Sequence, residues 1–171
     1  MPKQFVCSSE CDLGAVQDPA KIIVHGAREH NLKNICIEAT DLNGRTALIM
    51  AIRELGKNTT NAVLALIDAG ANVNATEPDG YTALMNAAIQ GNDDIVKVLI
   101  AAEANVDATD RFGQTALMKA AQYNNVKTVR ALIVAGAGVN ITDRKGKTAL
   151  KWAEQSGAVE SFTILNALKK N

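Results

Sequence analysis

Aromatic side chains are scarce in this sequence: Phe, Trp and Tyr together make up 4% of its 171 residues. A core without them has to be assembled from Ala, Leu, Ile and Val, which suits thin, closely approaching elements better than a few large anchors. Net charge is missing as well, since Lys plus Arg and Asp plus Glu both number 18. Without a surplus of cations there is no field to hold a phosphate backbone or an anionic bilayer, so neither nucleic acid nor membrane is expected as a partner. No apolar run approaches the ~20 residues of a membrane span, and the N-terminus lacks the charged-then-apolar pattern of a secretory signal. These absences lead to the expectation of a soluble, cytoplasmic, monomeric chain.

Thiols and imidazoles are confined to the first 36 residues: Cys7, Cys11, His25, His30 and Cys36. Three cysteines do not make a disulfide framework. Their spacing with the two histidines matches no compact zinc pattern, so no metal site is expected. Beyond Cys36 the usual nucleophiles and bases are gone, which removes most candidates for catalysis. Carboxylates remain plentiful. Asp41, Glu77, Asp110 and Asp143, however, recur at a fixed interval, and one acid per interval fits hydrogen-bonded turns better than a single active site. No enzyme activity and no cofactor are expected.

That interval organises the chain. Gly44-Arg45-Thr46-Ala47-Leu48 returns as Gly80-Tyr81-Thr82-Ala83-Leu84, then as Gly113-Gln114-Thr115-Ala116-Leu117 and Gly146-Lys147-Thr148-Ala149-Leu150, at steps of 36, 33 and 33 residues. A second marker keeps the same phase: Asn72-Val73-Asn74, Asn105-Val106-Asp107, Gly138-Val139-Asn140. Two markers with one period announce a repeat architecture. Within a unit, Gly80 precedes a helix at a turn, and Thr82 stands where a hydroxyl can cap its first amides. Ala83, Leu84, Ala87 and Ala88 then follow at helical spacing. Gly91 and Asn92 break that helix; Asp93 and Asp94 open a second, where negative charge suits the dipole, and Ile95, Val96, Val98, Leu99 and Ile100 make it apolar. Neither helix can bury that surface alone, but stacking units can.

This pattern resembles the ankyrin repeat, with its Gly-x-Thr-Pro-Leu-His-x-Ala start and its 33-residue period, over roughly 133 of the 171 residues. The family's proline is Ala47, Ala83, Ala116 and Ala149 here, and its histidine is Ile49, Met85, Met118 and Lys151. The resemblance implies an all-α solenoid of four helix-turn-helix units with connecting β-hairpin loops, over 39–74, 75–107, 108–140 and 141–171. Three extra residues of the first unit are assigned to the loop spanning Leu55 to Asn61. Glu103 replaces the glycine found at Gly70 and Gly136, where a left-handed residue is expected after the second helix. In the last unit a polar end, with Lys169 and Lys170, and Trp152 sealing the core are expected to close the stack, with a binding anchor as the alternative role of Trp152.

Residues 1–38 carry no repeat. Residues 1–20 are expected to be a mobile leader, and Lys21–His25 with Ile35–Ile37 to form a short hairpin arm over 21–38. The run from Ile22 to Ile35 resembles the opening of UvrA-type ATP-binding-cassette proteins of DNA repair. The Gly-rich phosphate loop that follows in that family is missing, so nucleotide binding does not carry over. The function implied by this second resemblance, as an alternative, is a regulatory fragment associated with ATP-dependent DNA repair.

The first resemblance implies a protein partner, gripped by the hairpin tips and the exposed ends of the first helices. The tips are Leu42, Asn43 and Arg45; Pro78, Asp79 and Tyr81; Arg111, Phe112 and Gln114; and Arg144, Lys145 and Lys147. The helix ends are Arg53 and Glu54, Ile89 and Gln90, Gln122 and Tyr123, and Gln155 and Ser156. Tyr81, Arg111, Phe112 and Tyr123 are expected to lie together at the centre, because aromatics and Arg most often supply hot spots. The tip charge is graded, from acidic at Glu77 and Asp79 to basic at Arg144, Lys145 and Lys147.

Overall fold

The computed structural model describes residues 40–54 and 59–168. The leader, the hairpin arm, the UvrA-like run, the Cys and His set, and Lys169 and Lys170 lie outside the described residues.

Among the described residues, eight helices occur in four antiparallel pairs: α1 Ala47–Glu54 with α2 Thr59–Asp68, α3 Ala83–Gln90 with α4 Asp93–Ala101, α5 Ala116–Gln122 with α6 Val126–Val134, and α7 Ala149–Gln155 with α8 Val159–Leu168. Each helix packs on its partner and on the equivalent helix of the next pair, giving a layer of first helices and a layer of second helices. The chain is therefore an all-α stack. The expected hairpin loops are tight turns, each closed in the first two units by one antiparallel bridge, Thr40 to Thr46 and Thr76 to Thr82.

The start of every first helix is fixed as its threonine suggests. The hydroxyls of Thr46, Thr82, Thr115 and Thr148 accept from the backbone N–H three residues on, at 3.2–3.4 Å. The core then follows the period. Leu48, Leu84 and Leu117 are buried, as are Ala51, Ala87, Ala120 and Ala153, and the second helices add Leu66, Leu99, Leu132 and Leu165. Small alanines between rows of leucine allow the close approach that a core with few aromatics needs. In the family's histidine column Ile49, Met85 and Met118 are buried, whereas Lys151 is exposed. At that position of the fourth unit the side chain is open and pairs with Glu154 at 2.6 Å, so a lysine is tolerated there.

The second marker ties units together. Asn74 Oδ1 accepts from the N–H of Asn105 at 2.7 Å, and Asp107 Oδ1 from that of Gly138 at 2.8 Å. Each of these side chains thus satisfies a loop amide of the next unit.

Two boundaries depart from the pattern. The second helix of unit one begins at Thr59, so Thr59, Thr60 and Asn61, assigned above to a loop, are helical, and 55–58 lie outside the described residues. Asn124 takes the left-handed conformation (φ 55°) that glycine takes at the equivalent Gly91 and Gly157. Asparagine tolerates that conformation, and its Oδ1 accepts from the Ser161 N–H at 3.1 Å.

Glu103 is left-handed too, with φ 61°, as Gly70 (92°) and Gly136 (86°) are. A residue with a Cβ costs about 1 kcal/mol in that conformation, and the Glu103 side chain makes no hydrogen bond or ion pair among the described residues. Glu103→Gly is expected to stabilise the fold by about 1 kcal/mol and raise the melting temperature. An unchanged or lower midpoint in thermal denaturation would contradict this.

Candidate functional site

The four tips share one backbone turn, and in three of them the aspartate that opens the tip explains it. In Asp41, Asp110 and Asp143 one carboxylate oxygen accepts from the backbone N–H groups two and four residues on, at 2.8–2.9 Å. The glycine three residues after the acid then turns left-handed and donates back to the acid's carbonyl, as Gly113 does to Asp110 at 2.9 Å. Successive tips are also bonded to one another: the Arg111 N–H donates to the Asp79 carbonyl and the Arg144 N–H to that of Phe112, both at 2.9 Å. The second, third and fourth tips thus form one continuous row.

The second carboxylate oxygen reaches a residue nine positions on, in the first helix of the same unit. Asp110 Oδ2 pairs with Lys119 Nζ at 2.9 Å, with both side chains buried. Asp143 Oδ2 accepts from the Trp152 indole N–H at 3.1 Å. In unit two Glu77 Oε1 accepts from Asn86 Nδ2 at 3.2 Å. Met50 occupies the position in unit one and offers no donor, so Asp41 instead binds Arg45, at 2.6 Å. Burial pushes the carboxyls of Asp41 and Asp143 upward, but the hydrogen bonds they accept, from Arg45 and Asn43 in one case and from Lys147, Lys145 and Trp152 in the other, outweigh it and hold both below the ordinary value. These recurring acids build turns.

Lys119 is a junction. Its ammonium also donates to Gln114 Oε1 and, at 2.9 Å, to the Tyr81 hydroxyl of the preceding unit, and it lies 4.6 Å from the centre of the Tyr81 ring. Gln114 is consequently buried with its amide oxygen occupied. This corrects its expected place at an exposed tip: a polar residue beside a glycine turn faces inward when an interior cation needs an acceptor. Tyr81 is half-buried, with ring and hydroxyl both turned to Lys119.

The other expected contact residues are open. Phe112 is 47% exposed and Tyr123 55%. The Arg111 guanidinium lies 4.7 Å from the centre of the Phe112 ring and pairs with Asp79 at 2.6 Å. Pro78, Arg144 and Lys145 are exposed. Arg111 and Phe112 are therefore brought together, and Tyr81 is tied to Lys119 and Gln114, while the Tyr123 side chain is in none of these contacts. A polar groove of about 470 Å³ lies between units one and two, lined by Arg53, Glu77, Asp79, Tyr81, Asn86, Ile89 and Gln90. Arg53 spans it, with Nη1 3.2 Å from Glu77 Oε1.

Sequence reasoning missed Asn86 and Lys119 altogether and read Trp152 as an end seal or a binding anchor. One signal was available: these positions, one residue after the buried Met85, Met118 and the exposed Lys151, carry donors in helices rich in Ala. No group of three or more His, Cys, Asp or Glu among the described residues could hold a metal ion.

A family model described as ankyrin repeats (3 copies) matches residues 20–110 and 84–171. No curated protein matches the chain.

Proposed function

The chain belongs to the ankyrin-repeat family, and from that premise we propose that it holds another protein against the row of tips and the adjoining first-helix ends, as an adaptor or as an inhibitor that covers its target. A protein-interaction module is what the family indicates; the surface and the mode are the finer reading. One observation supports it above the rest. At the second tip position the turn uses only backbone groups: the Phe112 N–H binds Asp110, and its carbonyl accepts from Arg144. The side chain is free to be anything soluble, as Asn43, Asp79 and Lys145 are at the equivalent positions, yet a phenylalanine stands there 47% exposed. Leu42, 68% exposed on the first tip, and Tyr123, 55% exposed at a first-helix end, are further open apolar groups. Exposed aromatics beside a stacked arginine are the groups that fill partner pockets at low entropic cost.

Asp41, Asp110 and Asp143 are committed to backbone amides and Glu77 to Asn86 and Arg53, and the described residues contain neither histidine nor cysteine, so the reading is of a binding protein without chemistry of its own. Phe112→Ala combined with Tyr123→Ala is expected to weaken capture of the partner from native extract by roughly tenfold or more, while circular dichroism stays that of the parent. Tyr81 is left intact because it belongs to the buried network. Undiminished capture by the folded double variant would move the interface elsewhere.

A further inference from the structure

The tips differ in how their cations are neutralised. On the tip and first-helix side of units one to three, every cation of the described residues has a carboxylate partner: Arg45 with Asp41, Arg53 with Glu77, Arg111 with Asp79, and Lys119 with Asp110. Unit four breaks this pattern. Its turn acid, Asp143, is buried and directs both oxygens inward, to the amides of Lys145 and Lys147 and to the Trp152 indole. Arg144 and Lys145 are exposed and form no ion pair among the described residues. Lys147 Nζ donates to the neutral Gln155 Oε1 at 2.7 Å and lies 4.7 Å from the centre of the Trp152 ring. The nearby Glu154 already holds Lys151, at 2.6 Å. Three cations thus share one tip with a single carboxylate, and that carboxylate is withdrawn from the surface.

This cationic tip adjoins the exposed aromatic one, because the Arg144 N–H is bonded to the Phe112 carbonyl. We infer that the partner presents an acidic segment of polypeptide with an apolar anchor: carboxylates toward Arg144, Lys145 and Lys147, and an apolar side chain toward Phe112. The inference deepens the proposed function and rests on the tips being the interaction surface. Charge complementarity across a rim of this kind steers and registers a partner. Three cations on a chain of zero net charge make too short a track for a phosphate backbone, whose binding scales with the number of phosphates neutralised. The free cations of the second-helix layer, Lys127 and Arg130, lie on α6 and adjoin no tip.

The test is titration of the full chain with a fluorescent peptide alternating Glu and Leu, with its Lys-for-Glu counterpart, and with single-stranded oligothymidylate. The Glu peptide is expected to bind, with an affinity that falls as salt rises, and the Lys peptide is not. Arg144→Glu with Lys145→Glu should weaken the Glu peptide by on the order of tenfold or more, whereas Lys127→Glu with Arg130→Glu should leave it unchanged. Absence of binding, equal losses in both variants, or tighter binding of the oligothymidylate would overturn the inference. The two readings fail separately. A natural partner lost by Phe112→Ala with Tyr123→Ala but kept by Arg144→Glu with Lys145→Glu would retain the tip surface and reject the acidic segment.

Discussion

Lys119→Met is expected to destabilise the fold by about 3–5 kcal/mol, measured as a fall in the urea midpoint with the slope of the transition unchanged. The lysine side chain is 5% exposed and that of Asp110 0%, with 2.9 Å between Nζ and Oδ2. Methionine fills a similar volume but leaves Asp110 as a buried charge whose only remaining bonds are the two amides on its other oxygen. It also strands the Tyr81 hydroxyl and Gln114 Oε1, both now served by the ammonium. Because the network spans the tip and helix of unit three and a side chain of unit two, its loss loosens stacking as well as one turn. Asp110→Asn added to Lys119→Met should recover part of the loss by removing the stranded charge. Lys151→Met provides the contrast. Its pair with Glu154 is about half exposed on both sides, and surface pairs of that kind are worth about 0–1 kcal/mol. A Lys119→Met effect as small as that of Lys151→Met would show that the buried junction does not hold the units together.

Gly80→Ala is expected to cost about 2–3 kcal/mol, for two reasons that a companion variant separates. Gly80 has φ 81°, so any Cβ is strained. That Cβ would in addition stand 3.0 Å from both Arg111 N and Asp110 Cα, backbone atoms of the next tip that cannot rotate away. Arg111 N is the donor to Asp79, so relieving the contact means stretching the bond between tips. Gly146 is the same position in the last unit, at φ 70° with nothing within 4 Å of the added Cβ. Gly146→Ala should show only the conformational part, roughly 1–2 kcal/mol. Equal effects at the two positions would mean that close approach of successive tips contributes nothing.

These two sites mark what the sequence discloses and what it conceals. The glycines, the Thr-Ala-Leu starts and the leucine rows recur unchanged, so comparing units with one another exposes their roles without any outside reference. Glu103 is legible for the same reason: it interrupts a column of glycines, and its φ is that of the column. The pairing of each turn acid with a first-helix residue nine positions later is not legible, because its helix member changes identity, from Asn86 to Lys119 to Trp152, and neither member is repeated as a pair. The fate of Gln114 follows from that omission, since only knowledge of the Lys119 ammonium explains why an amide should turn inward. Among the surface residues, exposure of Phe112, Arg144 and Lys145 was foreseeable from the turn geometry. The separate environments of Tyr81 and Tyr123 were not, since they depend on which helix residue lies across the unit boundary.

Amide hydrogen exchange on the chain, free and with its captured partner, addresses the binding surface most directly. Slowed exchange in the partner complex is predicted for residues 110–114 and 143–147 and for the first-helix end at Tyr123, with α2, α4, α6 and α8 unaffected. Protection confined to those second helices, with exchange at the tips as fast as in the free chain, would contradict the account.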